Sequence, residues 1–305
     1  MTHKKRALVS GWGRPDRFDH RRFARARKLG RAADIMTREE IILSRIKRDG
    51  LGLEIGAGCA PIAPKKQGFR VHILDHCDRK GLIEKYRSHG INVDNIEEVD
   101  FVWDGRSYTE LIGRRHVYDW IIGSHVLEHT TDLIGFLNDC DSLLKKEGVL
   151  SLVVPDKRYC FDHFRPLSSI GRVIDAARNP RKIHSVGIAA EYFLTVVSKG
   201  GRIAWDVNEK GEFEFVHSLS QAKQAIREVD ERGNYLDVHE WCFTPTSFRL
   251  MMRDLFELGL IQLKELAFHP SQGSEFYIAL SRAGALPPGT RLDLLQEVLR
   301  EQSVA

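Results

Sequence analysis

From residue 50 onward the chain reads as short apolar runs alternating with helical stretches, and that rhythm restricts the fold more than any other feature. Strands are expected over 52–56, 71–75, 96–101, 118–123 and 149–154, with helices over 81–89 and 132–144. The second helix stops at Lys145-Lys146-Glu147-Gly148, where basic residues and a glycine past the last apolar position are C-terminal signals. Parallel strands need crossovers, so the alternation specifies a doubly wound α/β architecture with helices on both faces of a mostly parallel sheet. After Pro155 the rhythm breaks. Residues 156–235 carry clusters of charged and aromatic residues, Asn179-Pro180 and Gly200-Gly201, with helices expected near 170–177 and 216–232 and a hairpin-like stretch around 208–215. It resumes with a helix over 246–258 and strands over 261–268 and 275–280, and a tail helix over 290–302 follows. The expected division is a basic arm at 1–48, helical over 18–48; a core at 49–155 and 236–283; an inserted cap at 156–235 over the sheet's carboxyl edge; and a C-terminal helix within 284–305.

The first strand runs into Glu54-Ile55-Gly56-Ala57-Gly58-Cys59-Ala60-Pro61. Two glycines let a backbone approach a ligand where a Cβ would collide, and the crevice at the carboxyl ends of such strands is where doubly wound sheets bind ligands. A dinucleotide fingerprint needs a third glycine, where this chain has Pro61. Glu54 beside the turn would repel a pyrophosphate but suits a cationic, amino-acid-like ligand, which disfavours a nicotinamide-dependent oxidoreductase. Asp75 ends the second strand 19 positions after Gly56, where a carboxylate accepts ribose hydroxyls. Asp100 and Phe101 end the expected third strand, where an acid and an aromatic ring suit the edge and face of an adenine.

Together with Asp119-Trp120-Ile121-Ile122-Gly123-Ser124-His125-Val126-Leu127-Glu128-His129, these residues resemble the class I S-adenosylmethionine-dependent methyltransferases, particularly the bacterial type 11 group. The likeness covers roughly residues 50–155 and 240–282. It implies a Rossmann-like, seven-stranded sheet with one antiparallel strand near its edge. It also implies S-adenosylmethionine as cofactor, with Gly56 and Gly58 against its methionine moiety, Asp75 on the ribose, and Asp100 and Phe101 at the adenine. Glu54 would orient the turn or help hold the ligand's ammonium, and Ser124 and His125 would lie close to the sulfonium.

His125-x-x-Glu128-His129 also matches an inverted zinc-protease pattern. Histidines four apart share a metal on a helix, whereas this motif begins at a strand end and shows no third ligand, so no metal is expected and His129 reads as structural. The segment from Pro155 to Pro166 and the cluster Asp237-Val238-His239-Glu240-Trp241-Cys242-Phe243 are dense in polar and aromatic residues. Both look like segments of methyltransferase-like proteins found among bacterial polysaccharide-assembly enzymes. Tyr159, Phe161, Phe164, Trp241 and Phe243 are expected to pack between cap and sheet, while His239, His163 and Asp156 are the candidate bases for O-methylation of a sugar or glycan intermediate.

Lys and Arg number 46 against 42 acids, a net +4 that does not by itself imply nucleic acid. Residues 1–46 alone carry +8, so an RNA or protein acceptor is the rival to a small-molecule or glycan one, and a non-catalytic nucleoside-binding module is the alternative to an enzyme. Five widely spaced cysteines without a CxxC pair argue against a disulfide framework and point to the cytoplasm. No apolar run approaches the roughly 18 residues of a transmembrane helix.

Overall fold

The computed structural model describes residues 36–303. A seven-stranded sheet is built from β1 (Leu51–Ile55), β2 (Arg70–Asp75), β3 (Phe101–Val102), β4 (Tyr118–Ser124), β5 (Leu144–Pro155), β8 (Lys264–Gln272) and β9 (Glu275–Ser281), in the order β3-β2-β1-β4-β5-β9-β8. All pairs from β3 to β5 are parallel, and β9 runs antiparallel to both β5 and β8. Strand order therefore reverses between β1 and β4, opening a crevice at their carboxyl ends.

Alternation along the strands explains their near-continuous apolar character, because a parallel sheet buries both faces. Leu53, Ile121 and Leu152 point into one core with Leu133 and Leu137 of α4 (Leu133–Leu143) and Phe248 and Leu255 of α8 (Pro245–Glu257). Ile73, Trp120, Ile122 and Val153 point into the other with Ile41 and Ile42 of α1 (Arg38–Leu43). The crossover helix α2 (Arg79–Ser88) starts at the capping side chain of Asp78, and α4 starts at that of Asp132.

Three expectations are corrected. The third strand is only Phe101–Val102, not 96–101; Ile96 is buried but sits before the ladder begins. The helix expected over 18–48 falls mostly outside the described residues; within them it is only Arg38–Leu43, opened by a Thr37/Glu40 capping box and closed at Ser44. Two helices escaped the sequence reading, α3 (Tyr108–Ile112) and α6 (Val186–Thr195), the first being too short to show a period.

The segment 156–235 holds α5 (Ile170–Arg178), α6, a small hairpin of β6 (Val197–Lys199) with β7 (Phe213–Phe215), and α7 (Leu219–Asp230). Its helix α5 inserts Val173 and Ala176 into the main core, whereas α6 and α7 pack on each other around Ala189, Phe193 and Ala225. The tail helix α9 (Arg291–Ser303) lies on α8 through Leu294 and Val298. All five cysteines are free, and no helix of the described residues is long and apolar enough to cross a membrane. Phe248 is wholly buried between Phe243 and Phe276. Phe248→Ala is expected to cost about 3–5 kcal/mol, read as a lowered urea midpoint with an unchanged slope.

Candidate functional site

Gly56 and Gly58 both adopt positive φ, +68° and +51°. A side chain at either would be strained, and a Cβ would also meet Val126 of the loop after β4 at Gly56 and the Tyr86 hydroxyl of α2 at Gly58. The turn is held from two sides. Asp75, buried at the tip of β2, accepts the Gly58 N–H at 3.0 Å, and its other oxygen accepts from the His76 backbone N–H at 2.8 Å and lies 2.6 Å from His76 Nδ1. Glu54 accepts the backbone N–H groups of Ile62 at 2.7 Å and Ala63 at 3.0 Å. Both Glu54 oxygens are thereby taken by the backbone of the loop beyond the turn. Burial outweighs those two hydrogen bonds and pushes its carboxyl up to about 7.

The tip of β3 differs from the sequence expectation. Parallel register pairs Phe101 with Leu74 and Val102 with Asp75, so Asp100 lies beside Ile73, set back from the crevice. Asp100 Oδ2 accepts from the Ile73 N–H and from Lys65 Nζ, each at 2.7 Å, and Phe101 packs edge-on to His72. The residues at the tip are instead Trp103, whose backbone N–H reaches the Asp75 carbonyl, and the exposed Asp104. A strand end placed one residue too early hid them.

Ser124 and His125 are also relocated. Alternation along β4 turns Ser124 to the α1 face, where its hydroxyl accepts from Arg38 at 2.7 Å. His125 takes a left-handed φ of +53° and its Nε2 lies 2.7 Å from Glu275 Oε2 on β9; Glu275 also accepts from Arg38 Nε and the Tyr277 hydroxyl. Burial alone would lower the imidazole's pKa, but Glu128 and Glu275 raise it to about 9, and Glu275 is held down to about 2. Both ring nitrogens of His125 are thus turned to carboxylates, Nε2 to Glu275 and Nδ1 to Glu128 at 3.3 Å.

The three candidate bases separate. Asp156 is wholly buried, clamped by Arg158 and by the Ser271 hydroxyl at 2.6 Å, and has no access to a substrate. His163 stacks on Phe213 of the β6–β7 hairpin, beside Trp205 and the exposed Phe164. Phe164 is 55% exposed and so departs from the packing expected of it, whereas Trp241 and Phe243 are buried as expected. His239 alone enters the crevice. The segment after the insertion crosses the β4 loop, with Glu240 and Trp241 donating backbone N–H groups to the Glu128 carbonyl and the Trp241 indole to the Thr130 carbonyl.

There His239 Nδ1 makes a short hydrogen bond to Asp162 Oδ2, and Asp162 Oδ1 accepts from the buried Arg165 at 2.9 Å. Burial would raise Asp162, but His239 and Arg165 outweigh it and hold the carboxyl down to about 2. His239 packs edge-on against His129, at 4.6 Å between centroids, and Phe161 covers it from the cap. Its Nε2 faces Glu128 at 4.0 Å. His129, read from sequence as structural, lies 2.9 Å from Asp237. Asp162, Glu128, His129 and Asp237 therefore belong to the site and were missed as such. The sequence signals were the His-x-x-Glu-His motif for Glu128 and His129, the polar segment 155–166 for Asp162, and the neighbourhood of His239 for Asp237.

No protein-family model matches the sequence, and no curated protein matches it. Among solved structures the chain is similar in fold to an S-adenosylmethionine-dependent methyltransferase of Methanosarcina mazei, at 16% identity over 80% of this chain and 98% of that one, with a TM-score of 0.41. It is also similar to a Rhodobacter sphaeroides protein described as a zinc-dependent alcohol dehydrogenase, at 12% identity over 80% and 88%, TM-score 0.42. A third is a Burkholderia thailandensis N-methyltransferase solved with S-adenosylhomocysteine, at 17% identity over 39% and 50%, TM-score 0.29.

The Glu54 carboxyl makes a pH prediction. Its folded pKa, near 7, lies above the ordinary 4.5, so the folded state binds the proton more tightly and its share of stability falls as pH rises from about 4.5 to 7. Guanidinium unfolding is expected to show the wild type losing up to about 3 kcal/mol across that interval relative to Glu54→Gln; parallel curves would refute the assignment.

Proposed function

We propose that this chain is an S-adenosylmethionine-dependent methyltransferase that methylates a hydroxyl of a sugar or glycan intermediate. The observation that carries the reading is the convergence, at the reversal between β1 and β4, of the Gly56–Gly58 turn, the Asp75 carboxylate and the Asp162-held His239.

The residues present fit the cofactor. A carboxylate oxygen has about two acceptor directions, and Asp75 Oδ2 has one taken by Gly58, leaving another for a ribose hydroxyl. Trp103 at the neighbouring tip, 39% exposed, offers a face for the adenine, and it replaces Asp100 and Phe101 in that position. The unsubstituted Gly56 and Gly58 would take the methionine moiety, Tyr86 shifting from its place over Gly58. When bound, the cofactor supplies a methyl group already activated by a positive sulfur.

What the protein adds is alignment and a proton acceptor. Orientation of donor and acceptor supplies on the order of 7–11 kcal/mol in favourable intramolecular cases. Asp162 accepts a hydrogen bond from His239 Nδ1–H, which leaves Nε2 as the basic nitrogen and turns it toward the crevice. From there it would take the acceptor's hydroxyl proton, the bound cofactor supplying the methyl group with its methyl–sulfur bond broken and leaving as the neutral thioether, while Asp162 would stabilise the resulting imidazolium. The polar and aromatic cap supports a sugar-like acceptor, with Phe161 over His239 as the nearest ring face.

Calorimetry is expected to show binding of S-adenosylmethionine and S-adenosylhomocysteine and none of NAD; binding of NAD alone would overturn the reading. Gly58→Ala should weaken S-adenosylmethionine binding at least tenfold. His239→Ala should leave that binding intact and lower methyl transfer to hydroxyl acceptors by about 10²–10⁴-fold, measured as S-adenosylhomocysteine release; an unchanged rate removes His239 from the mechanism.

A further inference from the structure

The Glu128 carboxylate is an anomaly that methyl transfer does not use. It is 1% exposed, and neither of its oxygens has a hydrogen-bond partner. His125 Nδ1 stands 3.3 Å from Oε1, close enough for an ion contact but not aligned as a hydrogen bond. Leaving a buried charged group without such partners is expensive, and buried charges are normally paired, hydrogen-bonded or bound to a metal. Facing this carboxylate are two imidazoles. One ligand atom from each of Glu128, His129 and His239 can be chosen so that all three lie within 4.8 Å of one another.

We infer that Glu128, His129 and His239 form a binding site for a divalent transition metal, with zinc the best match to two imidazoles and one carboxylate. That donor set is one in which three protein ligands hold the ion and a fourth position stays open. Imidazole donors select against magnesium and calcium, which prefer all-oxygen shells. Tetrahedral bonds of about 2.0–2.1 Å put ligand atoms roughly 3.3–3.5 Å apart, so the 4.0 Å from His239 Nε2 to Glu128 Oε1 closes by a small rotation of either side chain.

The surroundings match as well. Metal-bound histidines characteristically give their other ring nitrogen to a carboxylate, which fixes tautomer and ring angle. His239 does so to Asp162, and Asp237 stands 2.9 Å from His129 Nδ1 as an ion contact, not aligned as a hydrogen bond. His129 is 30% exposed in its side chain and marks the side from which an ion and a fourth ligand would enter. The chain motif that suggested a metal is reassigned in the process. His125, the first residue of His-x-x-Glu-His, gives its Nε2 to Glu275 and lies outside the three-residue group, and the third ligand arrives from 110 residues further along as His239. The sequence expectation of no metal rested on the motif's start at a strand end and on the missing third ligand.

This site stands on its own geometry and not on the methyltransferase reading. Protein that takes up zinc and ignores S-adenosylmethionine keeps the one and loses the other. The two meet at His239, whose Nε2 cannot ligate an ion and accept a proton at once. The full chain, stripped with a chelator and dialysed, is titrated with Zn²⁺ by calorimetry and with Co²⁺ by visible absorption. Expected are one equivalent bound and a cobalt spectrum of low coordination number without a thiolate charge-transfer band. Glu128→Gln and His129→Asn should each weaken binding at least 100-fold, and Asp162→Asn, which removes only the partner of His239, by about 10–100-fold. Circular dichroism and melting temperature of the stripped variants check that they fold, and a zinc-dependent rise in melting temperature should appear in the wild type alone. No binding by the wild type, a thiolate band, or undiminished binding by folded Glu128→Gln and His129→Asn would each overturn the assignment.

Discussion

A parallel sheet exposes backbone and apolar side chains on both faces, and this one is stable only because crossovers lay helices on each side of it. That covering requirement produces everything else. It makes the strands near-continuously apolar, it lays helices against each face, and the strand order reverses between β1 and β4. At the reversal, two connections diverge from adjacent strand tips and leave backbone that neither helix covers. The Gly56–Gly58 turn, the Asp75 tip and the β4 loop meet there.

Polar groups at that junction sort by which face of the sheet they point to. Glu54 and Ser124 alternate onto the α1 face, where Glu54 ties down the backbone at Ile62 and Ala63 and Ser124 joins Arg38. These contacts keep the crevice floor rigid without entering it. Beyond the last residue of β4 the alternation no longer applies. His125 bends through a left-handed conformation that is costly for a residue with a Cβ and is held there by Glu275, and the following turn delivers Glu128 and His129 to the crevice side.

The cap completes the site with residues far away in sequence. Asp162 and Phe161 come from its first turn and His239 from the segment that leaves it, and the three meet because backbone N–H groups of Glu240 and Trp241 are satisfied by the Glu128 carbonyl. A buried backbone pairing thus sets a side-chain constellation. Glu128 sits at its centre with cationic or cation-accepting neighbours on three sides, His125, His129 and His239, which together lower its pKa against the upward push of burial.

The sequence alone determined the parallel sheet, the glycine turn and the acid at the tip of β2, because period, glycine and a strand-end carboxylate are local signals. It also placed His239 among three candidate bases, with His163 and Asp156. Tertiary structure decided the remainder. Asp100 and Phe101 yielded their place to Trp103 because register between β2 and a two-residue β3, a non-local quantity, fixes which residue stands at the tip. Asp156 and His163 share one polar segment with Asp162, yet a few residues of turn send the first into an ion pair with Arg158, the second onto the hairpin, and only Asp162 to His239. Which ionisable side chains face one another depends on the path of the chain between distant segments, and no spacing in the sequence encodes that path.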